Sequence, residues 1–155
     1  MKPTHPLPLY HSWPLFESGC RFDLGVSFGL DAQDAGDVAL LAGVPARPDV
    51  GRWSCDLADN SLSWTGPVFD LFGLPRNARL SRDEIVGLYC EESRAAMERL
   101  RAHAIKHRRG FTVDVEIRAG GMSRRWMRLL AAPVCRCDRV VGLKGLKQDI
   151  SREYA

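Results

Sequence analysis

Two histidines one helical turn apart, His103 and His107, are the first residues of the chain whose types and spacing suggest chemistry. An i, i+4 pair puts both imidazoles on one helix face, a geometry compatible with metal. No glutamate follows His103, so the zinc-protease pattern fails, and nothing nearby supplies the remaining ligands of a four-coordinate site. Two exposed histidines on a basic helix are the simpler reading. Cys135-Arg136-Cys137, with Cys90 further upstream, forms a second constellation. Arg136 and Arg139 would lower a neighbouring thiol pKa and favour metal binding or oxidant sensing. A lone C-x-C without a partner pair is a weak signal, and chance cysteines near a turn are the better reading. Ser123-Arg124-Arg125-Trp126-Met127-Arg128 interleaves an aromatic ring with arginines, as a single-strand-binding surface would. The sequence contains no G-x-S-x-G, no phosphate-binding loop, no dinucleotide fingerprint and no credible Ser/His/Asp order. Catalysis is therefore not expected, and no metal site is assigned.

The elements that must position these residues are clearest from Phe111 to Ser151. Phe111, Val113, Val115 and Ile117 alternate with Thr112, Asp114, Glu116 and Arg118, the period of a strand with one buried face. Gly120-Gly121 supplies a tight turn. A second strand runs from Met122 to about Val134, Cys137-Asp138-Arg139 makes the next turn, and Val140–Ile150 forms a third strand. Upstream, Gly51–Leu57 and Ser61–Thr65 form a hairpin around Asp59-Asn60. Gly66-Pro67 opens a short apolar helix closed by Gly73. Ser81-Arg82-Asp83-Glu84 has capping-box spacing, and Arg94–Arg109 is a helix of about four turns that Gly110 ends. Two strands, several helices and three strands in that order predict an α+β domain whose helices lie on one face of an antiparallel sheet.

These residues resemble a family. Gly110-Phe111, Glu116-Ile117-Arg118, Gly121, Arg125-Trp126-Met127, Pro133, Gly145 and Asp149-Ile150-Ser151 are similar to the C-terminal half of a PAS domain that ends in a PAC segment. Gly120-Gly121 stands where Asp-Gly is customary, and Ser151 where Thr is. Gly51–Leu57, Leu62-Ser63-Trp64-Thr65 and Leu71-Phe72-Gly73-Leu74 are similar to the front half. The resemblance covers roughly residues 49–151. It implies a five-stranded antiparallel sheet with helices around a small pocket, and a sensory module that binds a small ligand or a protein partner. The inward set Phe111, Val113 and Val115, together with Phe69, Phe72, Tyr89 and Met97, is the candidate pocket lining; a packed core without ligand is the alternative for the same residues. PAS domains of one class hold haem through a helical histidine, which would be His103 or His107, although that class's motif is absent. The Asn-Cys-Arg-Phe-Leu run of the flavin–thiol photoreceptors is also absent. The cofactor is left unassigned. Arg-Trp at 125–126 is what the resemblance implies for any member, so nucleic acid is disfavoured as a partner.

At 155 residues, 45% apolar and 26% charged, the chain has the composition of a globular domain with an extension. The expected organisation is an N-terminal extension over 1–48, a PAS/PAC domain over 49–151 and a short tail over 152–155. Residues 1–30 hold four prolines and no steady period, and read as an irregular lead-in. Asp31–Val44 is a candidate helix stopped by Pro45 and Pro48, which either dimerises the domain or covers its own sheet. Homodimerisation through that helix and the sheet face is the expected assembly, with a signalling protein as partner. No stretch approaches a spanning helix, and the proline- and histidine-bearing N-terminus lacks the apolar core of a signal peptide. A cytoplasmic chain with reduced thiols is expected. The charge is uneven: residues 1–93 carry 7 Lys/Arg against 13 Asp/Glu, and residues 94–128 carry 10 against 3. The simplest account is a basic face that balances an acidic half; attraction of an anionic partner is the other. The chain stops four residues after Ser151, where an effector would ordinarily begin, so it reads either as a stand-alone module or as the sensory piece of a longer protein.

Overall fold

The computed structural model describes residues 8–22, 49–119 and 123–154. The candidate helix over 31–44, the Gly120-Gly121 turn and Met122 lie outside the described residues. Six strands form one antiparallel sheet: β1 (Tyr10–Pro14), β2 (Val50–Asp56), β3 (Ser61–Trp64), β4 (Arg109–Ala119), β5 (Ser123–Arg136) and β6 (Arg139–Asp149). Their spatial order is β1-β4-β5-β6-β2-β3. Between them lie α1 (Ser18–Arg21), α2 (Gly66–Leu71), α3 (Arg82–Val86) and α4 (Glu91–His107). A 3-10 turn over Ser151–Tyr154 follows β6. This is the expected α+β architecture, with α2, α3 and α4 supplying one layer of the main core.

The sheet has six strands where five were expected, and the difference is β1. It pairs with β4 in the register Trp13↔Gly110, so two segments almost a hundred residues apart share a ladder. The lead-in is not irregular here. Four prolines hid the strand, yet Pro14 sits at the end of an edge strand, where a missing N–H costs no ladder bond. Gly110, expected to end the long helix, lies within β4 instead. A Cβ there would collide with the Trp13 indole, so the indole needs a bare backbone beneath it. Helix α4 is closed by Arg108, which takes the left-handed conformation at φ 54°, and it begins at Glu91 rather than Arg94. Glu91 and Glu92 in its first turn complement the helix dipole. Ser81 does occupy the cap position of α3, but its hydroxyl makes no capping bond.

The remaining turns follow local chemistry. Cys137 and Asp138, at φ 52° and 63°, form the two central residues of the β5–β6 hairpin. Both have the sign that matches the twist of antiparallel strands. Asn60, at φ 58°, helps turn β2 into β3, and the Asp59 carboxylate accepts the backbone N–H of Ser61 at 3.0 Å.

Both faces of the sheet are covered. The helix side buries Val68, Phe72, Tyr89, Met97, Leu100, Phe111, Val113, Val115, Ile117, Met127, Leu129 and Leu143 in one core. The opposite side holds a second core of Trp13, Phe22, Val50, Leu130, Ala132 and Leu146. The polar face of β4 is consequently buried as well at Thr112 and Asp114. Thr112 accepts a hydrogen bond from Trp13 Nε1 at 3.0 Å. The Asp114 carboxylate accepts two from Arg128, at 2.8 and 3.0 Å, and one from the Tyr154 hydroxyl at 2.5 Å. Those bonds satisfy polar groups that would otherwise be costly to bury. No helix among the described residues is long and apolar enough to cross a membrane.

Candidate functional site

A cavity of about 50 Å³ lies between the helical layer and the sheet, and its wall includes Trp53, Cys55, Tyr89, Met97, Phe111, Leu129, Leu143 and Lys147. Half-buried Arg82 and Arg101 also line it. Strand alternation places most of these side chains. Trp53 and Cys55 share the inward face of β2, and Phe111 shares that of β4 with Val113 and Val115. Tyr89, just beyond α3, bridges to Ile117 of β4, and Met97 projects inward from α4.

Of the seven residues proposed as pocket lining, Tyr89, Met97 and Phe111 line this cavity. Phe72 stacks on Trp64 at 4.9 Å between ring centroids and belongs to the aromatic group beside the cavity. Phe69 meets Trp64 edge-on at 5.2 Å, on the side of α2. Val113 and Val115 are packed in the core without bordering the space.

Lys147 is the residue that sequence reading missed. It is only 5% exposed, and its Nζ lies 5.4, 5.2 and 4.9 Å from the ring centroids of Trp53, Trp64 and Phe72. No hydrogen bond or ion pair of the ammonium accompanies these ring contacts among the described residues. Burial pulls its pKa down to about 7; a Cys55 thiolate would raise it and Arg82 lowers it further. Tyr89, also enclosed, is pushed well above the usual phenol range by burial. The signal for Lys147 was present in the spacing of β6. Leu143 and Leu146, three residues apart, must face opposite sides of a strand. Lys147 shares the face of Leu143, and Lys144 that of Leu146.

The other candidate residues lie elsewhere. His103 and His107 are exposed on α4, their rings 4.5 Å apart, while Ala104 carries the buried side of the same turn. No group of three or more metal-ligating side chains occurs among the described residues. Cys135 and Cys137 are exposed at the end of the β5–β6 hairpin, and Cys90 is half-buried ahead of α4. The arginines around Trp126 serve internal contacts. Arg125 donates to the carbonyls of Asp70 and Leu71 at 2.8 and 2.9 Å. Arg128 is held by Asp114, whose hydrogen bonds raise its pKa, and also reaches Glu153 at 3.2 Å. Arg124 lies 3.8 Å from Glu116. Trp126 itself stacks on Tyr154 at 4.2 Å.

A sheet ordered β4-β5-β6-β2-β3, helices α2 to α4 on its concave side and a cavity beneath them constitute the PAS fold, here with β1 added at the edge. Solved structures with this fold are similar to the chain at low sequence identity. The N-terminal domain of a diguanylate cyclase with a PAS/PAC sensor, from Marinobacter aquaeolei, superposes with a TM-score of 0.62 at 16% identity, over 67% of this chain and 97% of that one. An RNA-binding light-oxygen-voltage receptor gives 0.60 at 14% identity over 69% of this chain, which spans 31% of that receptor. A light-oxygen-voltage domain studied with a flavin analogue gives 0.57 at 17% identity, over 81% and 90% of the two chains. No family model and no curated protein matches the sequence.

The last of these neighbours raises the question of a flavin, and the resemblance raises that of haem. Pockets for ligands of such size begin at roughly 300 Å³, far above the about 50 Å³ of this cavity. Neither group fits the cavity as its walls stand, and the two histidines do not border it.

Proposed function

We propose that the chain is a sensory, non-catalytic PAS module that binds a small ligand or a protein partner and relays the change through dimer or partner contacts. The observation that carries this reading is the cavity walled by both the helical layer and the strands β2, β4, β5 and β6. A ligand there touches both the helical layer and the sheet, and differential affinity for two arrangements of those layers is what moves such an equilibrium. The neighbouring structures support the reading by their own descriptions, a PAS/PAC sensor and a sensory box histidine kinase/response regulator. The relay would run through the N-terminal segment. Trp13 and Phe22 lie on the outer face of the sheet, and Leu130 and Leu146 connect that face to strands that also wall the cavity.

The first experiment is an absorption spectrum of freshly purified protein with mass spectrometry of what denaturation releases, followed by a thermal-shift screen of small molecules and light scattering. A colourless protein that is stabilised by a small ligand and changes its association state on binding supports the module. A Soret or flavin spectrum would replace it with a cofactor-bound sensor. No stabilisation by any ligand, with a strictly monomeric chain in every condition, would remove it.

A further inference from the structure

Burying an ammonium without an acceptor costs free energy that ring faces recover only in part. Lys147 stands in that position: three rings surround its Nζ, and no carboxylate belongs to the cavity wall. The indole N–H of Trp64, whose ring lies beside the cavity rather than in its wall, is buried without an acceptor. Arg82 and Arg101 add positive charge to the same wall, and each is already engaged. Arg82 is ion-paired with Glu98, and Arg101 donates to Asn60 at 3.2 Å. What the site lacks is therefore a negatively charged acceptor.

We propose that the cavity binds a small aliphatic monocarboxylate, its carboxylate paired with Lys147 Nζ and its short apolar body against Met97, Phe111 and Leu129. The size follows from the space. About 50 Å³ is room for roughly four water-sized groups, the scale of acetate or propionate. The single charge follows from burial, since Lys147 is the buried cation of the wall, whereas Arg82 is ion-paired with Glu98 and Arg101 is half-buried against the neutral Asn60 amide. A phosphate or sulfate carries more charge and more oxygens than one buried ammonium satisfies. Charge-assisted pairing beside a largely apolar wall is worth more than the same contact in water, which makes a weakly binding class of molecule recognisable. The inference rests on reading the chain as a ligand-binding sensor and names the chemistry of that ligand.

The test is an NMR titration of the dialysed protein, selectively labelled at lysine and methyl positions, with sodium propionate and with the neutral isostere propionamide at matched ionic strength. Propionate is expected to move the Lys147 side-chain resonance and the Met97 and Leu129 methyls saturably, and propionamide is not. Lys147→Met, which swaps a buried charge for an apolar chain of similar length, is expected to fold and to weaken propionate binding at least about ten-fold. Lys144→Met, on the opposite face of the same strand, should leave it unchanged. Equal binding by Lys147→Met, or saturable shifts with propionamide alone, would overturn the carboxylate assignment while leaving a ligand-binding sensor intact. If neither compound, nor any member of a neutral fragment set, moves the cavity resonances, the assignment and small-molecule sensing fall together.

Discussion

Lys147→Met also makes a prediction about stability that needs no ligand. In the unfolded chain the amine keeps its proton up to its usual value of 10.5, and in the fold it releases it near 7. That difference corresponds to about 5 kcal/mol. Attraction to the three rings offsets about 1–2 kcal/mol of it. Between these two pH values the unfolded chain binds more protons than the folded one, so the lysine's contribution to stability rises with pH. Below about 7 both states are charged and the whole penalty is present. Methionine preserves most of the volume and removes the titration. The variant should therefore be more stable than the parent at neutral pH by roughly 3–4 kcal/mol. The gap should close steadily as pH rises toward about 10. Urea unfolding followed by tryptophan fluorescence at several pH values, on dialysed protein, measures the gap directly. Other titrating groups contribute equally to both proteins and cancel in the difference. A gap that does not change with pH, or a variant less stable at neutral pH, would refute the placement of an unpaired ammonium in the core.

Four further outcomes follow from the outer face of the sheet. Arg128→Leu leaves the Asp114 carboxylate, whose side chain is 1% exposed, without its main counter-charge, and should cost roughly 3–5 kcal/mol in denaturant unfolding. Trp13→Ala should cost a similar amount, roughly 3–5 kcal/mol, whereas an N-terminal arm outside the fold would give no change. Gly110→Ala should cost roughly 1–3 kcal/mol by displacing the indole. Because the new methyl would occupy space that truncation of the Trp13 side chain vacates, the double variant should be more stable than the sum of the two losses implies.

Much of the fold could be read locally. The alternation of Phe111, Val113, Val115 and Ile117 could only be a strand, because no helix face gathers every second residue. Gly66-Pro67 could only open a helix or break one, and it opens α2. Tyr89, Met97 and Phe111 border the cavity and Val113 and Val115 do not, although all five are apolar and buried, because spacing tells which residues face inward and not where packing leaves a space. The misses have one cause. Gly110 looked like a helix end because glycine is the usual left-handed residue there. Its actual role is set by an indole from a strand almost a hundred residues earlier.

What the chain's own order determined, then, is whatever depends on neighbours within a turn or a hairpin: strand and helix periods, the Cys137-Asp138 turn and the α+β succession of elements. Those features are governed by dihedral preferences and by spacing along the backbone, which the residues carry with them. The tertiary structure alone decided which faces became interior. Docking β1 beside β4 buried Thr112 and Asp114 on a side that alternation marks as polar. Packing both sides of β6 drew Lys147 into the aromatic core along with Leu143. Burial is a property of what the rest of the molecule brings to a surface; local spacing says which residues share a face, not whether that face is covered.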